Sequence, residues 1–181
     1  MSGDVRRSYV VGLGANLGER LATLKSAVLA LQAFGEVQAI SHVYETAAVG
    51  PPQPDYLNAA VRLASSLAPQ RLLSELLSIE RAHGRERRER WGPRTLDLDL
   101  LYSPALLLNE ADLTLPHPEL SRRAFALAPL LDVAPGAIDP RSGERYADLF
   151  AALGPQDLRR LETALSWDPR PNRLVAPGRA E

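Results

Sequence analysis

Asp97 and Asp99 stand two residues apart in the run TLDLDLLY. On a strand, residues at that spacing point the same way with Cα atoms about 6–7 Å apart. Both carboxylates then reach one small volume, where a hard cation such as magnesium takes carboxylate and phosphate oxygens in one shell. The same spacing also describes an amphipathic strand with its acidic side in water. The segment just before it, RAHGRERRERWGPRT, holds Arg81, Arg85, Arg87, Arg88, Arg90 and Arg94 within fourteen residues. Guanidinium groups beside two aspartates would neutralise them unless a polyanion and its cations lay between, as a magnesium-bound triphosphate does. Glu86 and Glu89 leave a solvated, salt-bridged loop as the competing reading. Trp91, between Arg90 and Gly92, is an expensive group to leave in water and a candidate lid.

Tyr56 and Asn58 share one side of an alternating run, YLNAAVRLAS. An aromatic plane beside an amide suits a flat, nitrogen-rich ligand; cross-strand packing is the alternative. His117, between Pro116 and Pro118, is a candidate phosphate donor, and Phe125 reads first as a core residue of a helix. His42 and His83 have no evident partner in the sequence. In GLGANLG the third glycine falls one position late for the dinucleotide-binding pattern, and no GxxxxGK[ST] occurs.

The elements that must position these residues follow from periodicity. Ser8 to Gly14 reads as a buried strand, followed by a helix with Leu21, Leu24, Val28 and Leu31 on one face that Gly35 ends. Val37 to Tyr44 reads as a second strand, ETAAVGPPQPD as an ordered loop, and Tyr56 onward as a third strand with Leu57, Val61 and Leu63 inward. Pro69 starts a helix with Leu72, Leu73, Leu76, Leu77 and Ile79 as its stripe, ending at Gly84. Thr95 to Tyr102 is a strand with Leu96, Leu98 and Leu100 inward. A short hairpin is expected near Ala105 to Leu115, then a helix from about Glu119 that Pro129 should break or restart. Helical patterns recur over Tyr146 to Leu153 and Pro155 to Trp167. The order predicts an α+β fold, a ferredoxin-like βαββαβ core with an antiparallel sheet, helices on its faces and appended C-terminal elements. Residues 1–7 read as a flexible lead, residues 8–153 as one domain, and residues 154–181 as a C-terminal helix and loose tail.

Composition narrows the function. Of 181 residues, 45% are hydrophobic and 24% charged, the balance of a soluble globular domain, and no apolar run spans a bilayer. With 21 basic and 22 acidic residues the net charge is -1, so no global field draws nucleic acid or an anionic membrane. Lys25 is the only lysine, and the absence of cysteine excludes disulfides, thiolate metal sites and a cysteine nucleophile. The N-terminus has no signal-like apolar stretch, so the expected compartment is the cytoplasm.

The strings GLGANLG, YET followed by GPPQPDYLNAAV, RWGPRTLDLDLL, LPHPEL and RRAFAL resemble the 6-hydroxymethyl-7,8-dihydropterin pyrophosphokinase family, in order from about Ser8 to Asp139. The resemblance implies a folate-biosynthesis enzyme that moves pyrophosphate from ATP to the pterin hydroxymethyl group and leaves AMP. It implies two magnesium ions on Asp97 and Asp99, and triphosphate contacts from Arg85, Arg94, His117 and Arg123. Arg85, Arg94 and the two aspartates would be catalytic. Tyr56 and Phe125 would sandwich the pterin, Asn58 would read its edge, and Thr46, Ala48 and Val49 would line the same pocket. Trp91 matches the aromatic of the loop that closes over both substrates, and Leu100 and Thr114 match positions near the adenine. The chain departs from some members at Ala47 and Ala48, where they carry prolines, and at Pro118, where they carry tyrosine. A monomer without nucleic-acid or membrane partners is expected. Two rivals from other classes are a single-stranded RNA-binding sheet and a metal-dependent phosphohydrolase using the same aspartates.

Overall fold

The computed structural model describes residues 5–84 and 95–165. Arg85, Trp91 and Arg94, with the rest of the arginine-rich loop, lie outside the described residues. In chain order the elements are β1 (Arg7–Ala15), α1 (Arg20–Leu31), β2 (Glu36–Ile40), β3 (His42–Thr46), β4 (Tyr56–Ser65), α2 (Pro69–Ala82) and β5 (Asp97–Tyr102). A small hairpin β6 (Leu108–Asn109) and β7 (Thr114–Leu115), a 3-10 turn (Leu120–Arg122), α3 (Ala124–Val133), α4 (Tyr146–Ala152) and β8 (Arg159–Ala164) follow. No helix among the described residues is long and apolar enough to cross a membrane.

The main sheet is antiparallel, in the order β5-β1-β4-β3-β8, with β2 also paired to β4. This is the expected βαββαβ core with one strand added at its edge. β2 and β3 are one strand interrupted at Ser41. The Ser41 hydroxyl accepts the Ala60 N–H at 2.8 Å, so the interruption orphans no buried donor.

Alternation along the strands produces two apolar layers. On one side Tyr9, Val11, Leu13, Leu57, Val61, Leu63, Leu98 and Leu100 pack with Leu24, Val28 and Leu31 of α1 and Leu72, Leu76 and Ile79 of α2. On the other, Val10, Ala60, Leu101 and Tyr102 pack with Leu127, Leu130 and Val133 of α3 and with Tyr146. Arg62 Nη1 donates to the Val133 carbonyl at 2.9 Å, and the Asp132 carboxylate accepts from Tyr44 Oη at 2.9 Å and from the His42 backbone N–H at 3.0 Å. These bonds fix the C-terminal end of α3 against the sheet. Burial, and then Asp132, push the Tyr44 hydroxyl pKa upward, so it stays a neutral donor.

Three expectations are corrected. The helix expected from Glu119 is a 3-10 turn, and α3 starts only at Ala124. Pro129 neither breaks nor restarts α3: it is buried inside the helix, where the packing of Leu127, Leu130 and Val133 outweighs the lost hydrogen bond. Among the described residues the helix expected over Pro155 to Trp167 is replaced by strand β8, Arg159–Ala164, paired with β3. Leu158, Leu161 and Leu165 recur at helical spacing, but the open edge of β3 offers backbone partners, and Leu161 and Leu165 pack against the core as a strand continues it. The boundary expected at residue 153 therefore falls ahead of a strand that belongs to the same sheet.

Candidate active site

The α3 face of the sheet has a covered half and an open half. Register sets Gly14 opposite both Asp97 and Asn58, and Gly12 opposite Asp99 and Ala60. Further along the same face, Val10, Ala60 and Leu101 turn apolar and lie under α3. The open half is the wall of a cavity of about 850 Å³, near the upper end of the size of small-molecule sites.

Asp97 and Asp99 both line this cavity, half-buried on one face of β5. Glu80, 1% exposed on the apolar side of α2, accepts the Leu98 N–H at 2.8 Å, so the strand is held between the two aspartates. Their chemistry fits a divalent cation: two hard oxygen donors on a rigid strand, facing glycines. Among the described residues no group of three or more acidic or imidazole side chains forms a ready cage. Such a donor set suits a magnesium ion that takes its remaining ligands from phosphate and water.

Tyr56 and Asn58 line the cavity from β4, with Thr46 and Val49 from the end of β3 and the loop after it. Asn58 is 6% exposed, and its Nδ2 donates to Thr46 Oγ1 at 2.9 Å. That bond holds the amide in place at the cavity wall. Asn16, also buried, donates to Gln53 Oε1 at 2.9 Å and to the Pro54 carbonyl at 3.0 Å, holding the Pro-rich loop to the end of β1.

From the other side come His117, Arg123 and Phe125. The Arg123 guanidinium carbon lies 5.8 Å from the Phe125 ring centre, a cation–π contact at the N-terminal turn of α3. Phe125 is 37% exposed, so it faces the cavity and not the core as its helix position suggested. His117 Nδ1 accepts the Glu119 N–H at 3.2 Å, which leaves Nε2 as the protonated nitrogen of the neutral ring. Burial, and then the positive charge of Arg123, hold the imidazole below its ordinary pKa.

Of the residues singled out in the sequence and described, Thr46, Val49, Tyr56, Asn58, Asp97, Asp99, His117, Arg123 and Phe125 meet in this one cavity. Ala47, not Ala48, is on its wall. Strand parity turns the Leu100 side chain into the α1/α2 core, and Leu101 lines the cavity beside Asp99. Thr114 is not among the residues that line this cavity. Arg85, Trp91 and Arg94 lie outside the described residues. His42 and His83 do have partners: Asp132 at 3.0 Å, and Ser26 Oγ at 2.9 Å with the Ile79 carbonyl at 2.8 Å. The reading of the sequence missed Glu80, whose carboxylate falls four residues after Leu76 on the apolar stripe of α2, and Asn16 and Gln53 inside strings it singled out. It also missed Arg122 and the segment Gln156–Leu158, which close part of the wall.

Paired carboxylates, arginines, an imidazole donor and two aromatic rings around one open cavity define a site for a phosphate-bearing small molecule next to a flat ring. The family model for 7,8-dihydro-6-hydroxymethylpterin-pyrophosphokinase (HPPK) matches residues 10–135. The chain belongs to that family. It is 51% identical over 143 residues to the 2-amino-4-hydroxy-6-hydroxymethyldihydropteridine pyrophosphokinase of Synechocystis, covering 78% of this chain and 73% of the relative. It is 39% identical over 163 residues to the protein of that name from Pseudomonas aeruginosa, covering 88% and 99%. The wild-type Plasmodium falciparum HPPK-DHPS solved with pterin and p-hydroxybenzoate shares the fold, with a TM-score of 0.67 at 13% identity over 88% of this chain. This chain spans 47% of that one, about half its length.

Proposed function

We infer that this chain transfers pyrophosphate from ATP to the hydroxymethyl group of 6-hydroxymethyl-7,8-dihydropterin, giving AMP and the pterin pyrophosphate for folate biosynthesis. The observation that carries this reading is the shared face on which Asp97 and Asp99 stand one glycine away from Asn58 and Ala60, with Tyr56 and Phe125 lining the same cavity. Family membership agrees with it.

The substrate hydroxyl oxygen forms a bond to the β-phosphorus as the bond from that phosphorus to the AMP oxygen breaks, and the hydroxyl proton is released. Such a transfer asks the protein for alignment and charge neutralisation more than for covalent chemistry. Asp97 and Asp99 would hold two magnesium ions, which when bound offset charge on the phosphate oxygens and acidify the attacking hydroxyl. His117 donates Nε2–H to a phosphate oxygen, and its low pKa keeps it a neutral donor at physiological pH. Arg123, with Arg85 and Arg94 from the arginine-rich loop, carries the remaining phosphate contacts. Tyr56 and Phe125 hold the pterin between their rings. Asn58, oriented by Thr46, reads its amide-like edge, the backbone over Thr46 to Val49 borders it, and Trp91 covers it.

Asp97→Asn and Asp99→Asn test the reading. Each is expected to lower turnover on the order of a hundredfold or more at saturating magnesium while leaving the melting temperature near that of the parent. Near-normal turnover in either variant would remove the assigned role.

A further inference from the structure

The second half of β1 carries two glycines, residues that weaken a strand and often mark the close approach of something else. Neither has a positive φ, so neither is required by the backbone. For Gly12 the approaching group is part of the protein: a Cβ there would lie 2.9 Å from Leu101 Cδ1 and 3.2 Å from its Cγ, inside the packed α3 layer. Gly14 is different. A Cβ on Gly14 would meet Asn58 Oδ1 at 3.5 Å, Tyr56 Cδ1 at 3.7 Å and Asp97 Cβ at 3.9 Å, all ordinary van der Waals distances. Among the described residues the fold has room for alanine at this position and would gain strand propensity from it. The bare backbone is in the cavity wall, and the three groups around it are the stacking ring, the amide and one of the two aspartates.

We propose that Gly14 is a specificity-determining residue, the bare stretch of wall against which the edge of the flat heterocycle, held between Tyr56 and Phe125, lies between Asn58 and the aspartate pair. This rests on the pterin reading above. A methyl at Gly14 fits the empty protein but occupies the plane that the ring system takes, displacing the ring away from Asn58 and the hydroxymethyl group away from the phosphate. The triphosphate, bound through Asp97, Asp99 and the arginines, does not use that plane. Gly14 therefore separates the two substrates: its substitution acts on the heterocycle and spares the nucleotide.

The test compares the parent with Gly14→Ala in three measurements: thermal melting, calorimetric titration with a non-hydrolysable ATP analogue and magnesium, and fluorescence titration with 6-hydroxymethylpterin in the presence of that analogue. The variant is expected to melt at or about 1–4 °C above the parent. It should bind the analogue within twofold of the parent and lose about tenfold to a hundredfold in pterin affinity. Turnover at saturating pterin should fall on the order of a hundredfold, because the hydroxyl is misplaced by an ångström or more. Parent-like pterin affinity overturns the proposal. So does a melting temperature lowered by more than about 5 °C, which would mean that the fold itself needs the glycine, or an equal loss for both ligands. A parent protein that binds the analogue but no pterin would instead overturn the functional reading, and this proposal with it.

Discussion

Thr46→Val removes one hydroxyl and keeps the shape of the side chain. The lost acceptor serves Asn58 Nδ2 at 2.9 Å, and Asn58 is 6% exposed, so little water can replace it. A neutral hydrogen bond contributes about 0.5–1.5 kcal/mol net, and a buried donor left without a partner costs about 1–3 kcal/mol. For a chain of this size each kcal/mol lowers the melting temperature by about 2–4 °C. The unliganded variant is therefore expected to melt several degrees lower. The amide also loses the contact that holds its side chain in place, so the pterin edge is read by a less firmly positioned group. At about 1 kcal/mol this raises the pterin KM by roughly fivefold, with kcat and the ATP KM within twofold. The assay is AMP release at saturating ATP with the pterin varied, beside a thermal melt of the same preparation. A lowered melting temperature with an unchanged pterin KM would refute the claim that Thr46 orients Asn58 for the ligand. A collapse of kcat with KM unchanged would refute it equally.

His117 sets a pH dependence whose sign follows from its lowered pKa. The folded ring binds its proton less readily than the unfolded one, so its contribution to stability is fully present above the unfolded pKa of about 6.5 and is lost as pH falls toward the folded value. The melting temperature of the parent should fall more steeply between pH 7 and pH 5 than that of His117→Gln, and parallel slopes would contradict the assignment. Glu80→Leu leaves the Leu98 N–H without its buried acceptor and should cost about 1–3 kcal/mol, with a drop in kcat because both aspartates flank that residue; Glu80→Gln should restore most of both. A chain ending at Gly154 loses Gln156–Leu158 from the cavity wall and uncovers the edge of β3. It should be less stable and at least about tenfold less active, and parent-like activity would show that this segment is dispensable. Arg159→Ala alone should cost under about 1 kcal/mol, because that side chain is 70% exposed in its ion pair with Glu45.

The parts of the site that obey strand parity were legible before any coordinates. Asp97 and Asp99 point together because they stand two apart on a strand whose leucines face the core, and Tyr56 and Asn58 do so for the same reason. Period alone could not say which half of that polar face is covered, since Val10, Ala60 and Leu101 differ from their neighbours only once α3 is laid over them. Long-range polar contacts were hidden in the same way. Glu80 reads as one charge on a surface helix until α2 is packed beside β5, and Asn16 and Gln53 meet across thirty-seven positions of sequence. β8 was misread because Leu158, Leu161 and Leu165 satisfy a helical period, while the reason for a strand, the free edge of β3, belongs to a distant segment. Pro129 was misread because a propensity of about 3 kcal/mol was weighed without the burial that opposes it.

The central claim is that ATP and a stacked pterin share this cavity as reactants. It is tested most directly by measuring AMP from purified protein, ATP and magnesium, with and without 6-hydroxymethyl-7,8-dihydropterin. AMP should appear in equal amount with the pterin pyrophosphate and only when the pterin is present. Release of inorganic phosphate at the same rate without the pterin, or no AMP with it, would contradict the claim.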